Sequence, residues 1–178
     1  SLDVGCGSGF VVEEALERGW DAHGIDLNTK SIVEGQKKRL NLYNKKLENL
    51  DENDLGLFNV ITMYDVLEHS YDPNSMLRAA YDLLEKDGLL VVYVPNWNSM
   101  ARKVLGNDLF WIWGLFHISY FTIETLSRVM TKIGFKLHEY ETQGMDIADI
   151  VWWNQNVICT DSSVLKNNLE NFQFCCNA

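Results

Sequence analysis

The sequence predicts an α/β domain built on a doubly wound, mostly parallel sheet. Two observations predict it. Short apolar runs alternate with stretches of helical periodicity from the first residues onward, and Gly5, Gly7 and Gly9 follow directly behind the first apolar run. Strands separated by helices imply right-handed βαβ units, hence a parallel sheet with helices on both faces. Glycine behind the first strand permits positive φ and lets a ligand approach bare backbone, as nucleotide-type sites at the carboxyl end of such sheets require.

The elements follow in order. Leu2 to Val4 reads as the end of a buried strand, and residues 10–18 as a helix. Residues 21–27 form the second strand and 29–40 the next helix; 45–50 is expected as a weak third strand. FNVITMY, 58–64, is a stronger strand. Residues 75–85 place Met76, Leu77, Ala80, Leu83 and Leu84 at amphipathic-helix spacing, Gly88 is expected to end that helix, and 89–94 reads as a buried strand. After Pro95 aromatic residues crowd together, with Trp97, Trp111 and Trp113 among them. Thr122 caps a helix that Gly134 stops, with Leu126, Val129, Met130 and Ile133 on one face. Residues 135–141 are expected as a further strand, and 147–154 and 163–172 as helices.

Bulk properties narrow the function classes. With 178 residues, 47% of them hydrophobic, the chain suits one globular domain, 1–178, with a core over 1–96 and an acceptor-pocket part over 97–178. No apolar run approaches 18 residues, so no membrane span is expected. The net charge of -10 opposes phosphate backbones and points away from nucleic-acid partners. Cys6, Cys159, Cys175 and Cys176 show no C-x-x-C spacing and read as reduced thiols of a cytoplasmic protein.

The glycine turn does not fit every nucleotide. A dinucleotide fingerprint places its third glycine where Phe10 stands, and no G-K-[ST] follows to make a Walker loop. A nucleoside without phosphates, its amino-acid tail against the glycine turn, is the remaining ligand class. On LDVGCGSG (2–9), GIDLN (24–28), FNVITMYDVLEH (58–69) and LLEKDGLLVVYVPN (83–96), the sequence resembles the class I S-adenosylmethionine-dependent methyltransferases. Within them it is most similar to the branch containing the ubiquinone-biosynthesis-type O-methyltransferases, where a stretch like His117 to Leu126 also recurs.

The resemblance implies a Rossmann-like fold, S-adenosylmethionine as cofactor, S-adenosylhomocysteine as product, and a small-molecule acceptor methylated at oxygen. It implies that Asp3 holds the loop and the methionine amino group, Asp3 otherwise serving only loop amides. Gly5, Cys6, Gly7 and Gly9 form the cofactor turn, with Asp26 and the adjacent Leu27 at the end of the second strand. Asp26 suits two ribose hydroxyls, though NAD would use it equally, and a helix cap is its bland alternative. Glu48 is the nominee for the adenine amino group, in competition with Asp51 and Asp54; Tyr64 and Asp65 are expected beside the sulfonium.

Asp65, Glu68 and His69 spell D-x-x-E-H, and in the ubiquinone-type enzymes a similar acid-x-x-Glu-His stretch is associated with a divalent cation. Here Asp stands where those enzymes typically carry Glu, so structural anchoring is preferred and no metal ligand is assigned. His117 is the candidate general base, against a histidine merely packed among aromatics. The tryptophans line an acceptor pocket, cover the sheet, or mediate a homodimer contact. Two rival functions stay open, a nicotinamide-dependent oxidoreductase and a non-catalytic cofactor-binding module. The related fold normally has a helix before the first strand and a seventh strand at its end, so the chain is expected to be truncated at both ends and less stable than a complete domain.

Overall fold

The computed structural model describes residues 1–109, 112 and 116–142; the sequence-predicted helices at 147–154 and 163–172, and Trp111 and Trp113, lie outside them. Five parallel strands form one sheet: β1 (Leu2–Val4), β2 (His23–Ile25), β3 (Leu42–Tyr43), β4 (Phe58–Tyr64) and β5 (Leu84–Tyr93), in the order β3-β2-β1-β4-β5. The helices are α1 (Phe10–Glu17), α2 (Thr29–Lys37), α3 (Glu52–Leu55), α4 (Pro73–Asp82), α5 (Met100–Leu105) and α6 (Ile123–Ile133). Among the described residues no helix is long and apolar enough to cross a membrane.

Described residues divide into two compact units, one of residues 1–95 and 118–138, the other of 96–117 and 139 onward. The first holds the sheet. Leu2, Val4, Ile61 and Met63 from the central strands are buried with Leu67, Leu77 and Ala80, and the apolar stripe of α6 (Leu126, Val129, Met130, Ile133) packs into the same core. Thr122 begins α6 with a capping box shared with Thr125, and Gly134 at φ 130° ends it, as its sequence pattern requires. In the second unit Ser99 caps α5 through the Arg102 amide, the Arg102 guanidinium lies 4.2 Å from the Trp97 ring centre, and Ala101, Val104, Leu105 and Leu109 are buried together.

Three local expectations are corrected. The third strand is Leu42–Tyr43, not 45–50, where a 3₁₀ turn (Leu47–Asn49) stands instead. Leu47 and Leu50 are both buried, and their spacing of three is that of a helical turn rather than of a strand with alternate faces. Helix α4 ends at Asp82, and the strand starts early, Leu84 pairing with Phe58 before a register irregularity. The turn chemistry of Asp87 (φ 64°) and Gly88 is therefore spent inside β5 and does not stop the helix. No strand forms among described residues 135–142; instead Phe135 sets its ring edge-on to Tyr81 at 5.1 Å.

Candidate cofactor site

The site grows from the carboxyl ends of β1, β2 and β4. Leaving β1, the chain must turn sharply over the sheet, and Gly5, Gly7 and Gly9 do this with φ of 74°, 54° and 89°. The Gly5 and Cys6 amides both donate to the Ile25 carbonyl (2.8 and 3.1 Å), tying the turn to the end of β2. A methyl group at Gly7 would meet nothing within 4 Å, so the middle of the turn faces open space. Phe10 opens α1 with its side chain 72% exposed.

Asp26 is the clamp of this turn. Its Oδ2 accepts from the Gly7 amide at 2.8 Å and its Oδ1 from the Asn28 amide at 2.7 Å. A carboxylate offers about four lone-pair positions, so both oxygens keep capacity for two incoming hydroxyls. Capping of α2 falls to Asn28, which accepts from the Lys30 and Ser31 amides.

Asp3 sits inside the sheet and is only 6% exposed. Its neighbour across the ladder is Thr62, whose hydroxyl donates to Asp3 Oδ1 at 2.6 Å. The Asp3 carboxyl is raised to about 6, chiefly by burial, with the Thr62 hydrogen bond opposing the rise and the Asp26 charge adding to it. Cys6 is buried, and its thiol is pushed up to about 12, first by burial and then by the Asp3 and Asp26 charges; it stays a neutral thiol rather than a nucleophile.

The raised carboxyl has a consequence for stability. The folded chain binds the Asp3 proton more tightly than the unfolded chain does, so this residue's contribution falls as pH rises from about 4 to about 6 and stays low above that. Asp3→Asn is expected to be about 1–3 kcal/mol more stable than the wild type near pH 7.5 and to show no such gain near pH 4. Urea unfolding at the two pH values checks this, and an equal difference at both would contradict it.

Strand alternation places Asp3, Thr62 and Tyr64 on one face, and Tyr93 joins them as the register partner of Tyr64. The Tyr64 and Tyr93 rings lie 6.4 Å apart, and both side chains are nearly half exposed. Asp65 follows with φ 52°, rare for a residue with a side chain, and its amide donates to the Tyr93 carbonyl at 3.0 Å. Glu68 is buried and anchors the chain through its backbone, its carbonyl accepting from the Ile118 and Ser119 amides at 2.9 and 3.0 Å. Burial pushes the Glu68 carboxyl up, and His69 Nε2 lies 3.8 Å from it.

The structure thus brings together Asp3, the glycine turn, Cys6 and Asp26, with Tyr64 and Asp65 at the end of β4. Leu27 is 64% exposed beside Asp26. Glu48 is exposed on its 3₁₀ turn and lines a cavity of about 300 Å³ with Leu50, Asp51, Glu52 and Asp82, none of which belongs to the glycine turn. His117 lies, part-buried, in the second unit. Sequence reasoning missed Thr62 and Gly35. Counting back two from Tyr64 puts Thr62 on the same face of β4, but its pairing with Asp3 emerges only from the strand register. A glycine inside an amphipathic helix, costly by propensity, signals the close approach that Gly35 makes.

Residues 1–140 match the model of a methyltransferase domain. Among curated proteins, the ubiquinone biosynthesis O-methyltransferase of Psychrobacter cryohalolentis is 33% identical over 105 residues, covering 54% of this chain and 41% of its own. Its counterpart from Bordetella avium is 33% identical over 115 residues, covering 60% and 48%. The chain thus spans less than half the length of these two relatives. Among solved structures, the magnesium protoporphyrin IX methyltransferase of Synechocystis, with S-adenosylhomocysteine bound, superposes with a TM-score of 0.66 at 19% identity, covering 82% of this chain and 68% of that one. A methyltransferase from Archaeoglobus fulgidus gives 0.61 at 19% identity, covering 88% and 76%. At such identities these structures speak for the fold alone.

Proposed function

Since the chain belongs to this methyltransferase family, we propose that it transfers a methyl group from S-adenosylmethionine to an oxygen of a small-molecule acceptor. The observation that carries this is the Asp26 clamp on the Gly7 amide, which sets an acidic ribose-type acceptor against an open glycine turn at the carboxyl end of the sheet. The residues fit the cofactor: Asp26 has lone pairs left for two vicinal hydroxyls, and Asp3 is a buried carboxylate suited to an ammonium. The glycine turn admits the amino-acid tail, Leu27 flanks the ribose side, Glu48 takes the adenine amino group, and Tyr64 and Asp65 border the reacting end.

When bound, the cofactor supplies an electrophilic methyl group and its own thioether leaving group. The protein's part is to hold the acceptor oxygen in line and to remove its proton. His117 is the base on this reading: its imidazole would accept the acceptor's hydroxyl proton during methyl transfer. The O-methyltransferases named above support oxygen as the methylated atom. The acidic charge of -10 supports a small acceptor over nucleic acid, and the scattered cysteines support a cytoplasmic setting.

Calorimetric titration with S-adenosylhomocysteine, with NAD as the comparison ligand, tests the reading. Saturable binding of the first and none of the second is expected. Binding of NAD instead would replace the methyltransferase assignment with the oxidoreductase.

A further inference from the structure

We propose that Thr62 is a positioning residue of the cofactor site, its hydroxyl fixing the Asp3 carboxylate in the orientation that receives the methionine ammonium. The proposal rests on the reading that Asp3 meets that ammonium. Its support is geometric. Thr62 lies directly across the β1–β4 ladder from Asp3, and the 2.6 Å contact is in the range of a hydroxyl donating to a charged carboxylate. Threonine is stiff about its first side-chain torsion, so the strand backbone dictates where the hydroxyl points. Thr62 is half-buried on the same face of the sheet as Asp3, opposite the apolar face that Ile61 and Met63 fill, and its hydroxyl takes the Asp3 carboxylate as its partner. The bond engages Oδ1, so Oδ2 is the oxygen left for a second donor.

The hydrogen bond also selects the charge state. A hydroxyl donating to Oδ1 favours the ionised carboxylate, the form an ammonium requires. The other titratable groups bearing on Asp3 are Asp26 at the end of β2, which opposes ionisation, and the Cys6 thiol in the turn, neutral across the working range. Burial opposes ionisation too, and Thr62 is the neighbour that works the other way. Valine at this position would keep the shape and the strand preference while deleting the donor.

Affinity for S-adenosylhomocysteine, which carries the same ammonium, is measured from about pH 5.5 to about pH 8.5 for the wild type, Thr62→Val and Thr62→Ser. The wild type is expected to lose affinity below about pH 6, where Asp3 takes up its proton. Thr62→Val should move that loss upward by about one pH unit, leaving binding about fivefold weaker near pH 6 and nearly unchanged near pH 8.5. Thr62→Ser should restore the wild-type profile. A merely structural role would weaken binding equally at every pH, and that result, or superimposable profiles for valine and wild type, overturns the proposal. Should Thr62→Val lose its cooperative melt, Thr62→Ala compared with Thr62→Ser makes the same test. If the wild type binds no S-adenosylhomocysteine at any pH, the cofactor reading has failed and the proposal falls with it.

Discussion

Replacing Gly35 by alanine is expected to destabilise the protein by about 1–3 kcal/mol and to weaken S-adenosylhomocysteine binding at least about tenfold. Gly35 is buried inside α2, where alanine would ordinarily gain about 1 kcal/mol of helix propensity. Packing reverses that sign. A Cβ there would stand 2.2 Å from Leu42 Cδ1 and 2.5 Å from the Ser8 carbonyl oxygen. The leucine can rotate away, whereas the carbonyl belongs to the glycine turn and cannot move without it. The added methyl therefore pushes α2 off the sheet or shifts the turn, and the second outcome registers directly as lost affinity. Urea unfolding and calorimetry on one preparation separate the two. A variant as stable as the wild type that binds equally well would show that the helix does not brace the turn.

Asp26→Ala removes two charge-assisted hydrogen bonds at once, those to the Gly7 and Asn28 amides. Bonds of this kind contribute about 1.5–3 kcal/mol each, so the turn loses its shape as well as the acceptor proposed for the ligand hydroxyls. Binding of S-adenosylhomocysteine is expected to fall by at least about 100-fold. Asp26→Asn, keeping one oxygen but no charge, should fall in between. Affinity within threefold of wild type in the alanine variant would remove Asp26 from the site.

Much of this was legible in the sequence, for physical reasons that differ from element to element. Strand β4 emerged with its expected boundaries because FNVITMY is rich in β-branched and aromatic residues and lies between Gly56 and Asp65. Helix α6 was bounded by Thr122 and Gly134, whose chemistry suits those positions. The third strand was misplaced because it is two residues long, too short for any period, and its identity depends on Leu42 filling the space beside Gly9, Gly24 and Gly35. In the site, Asp3, Asp26 and the glycines were readable from motif spacing. Thr62 was not, because its partner lies 59 residues away and the pairing exists only through strand register. Glu48 followed from loop position alone, and loops carry little register.

The placement of β1 bears on how the site would open. This strand is hydrogen-bonded on one side to β2 and on the other to β4, and Leu2 and Val4 are buried in the core. The glycine turn is therefore fastened to the innermost rung of the sheet rather than to a fraying edge. Amides around Asp3 are expected to exchange with solvent only when the whole unit comes apart, and those near exposed Leu27 and Glu48 through small local fluctuations. A molecule held by the turn consequently slows the rarest opening events most, and its grip appears as added resistance of the entire sheet to unfolding.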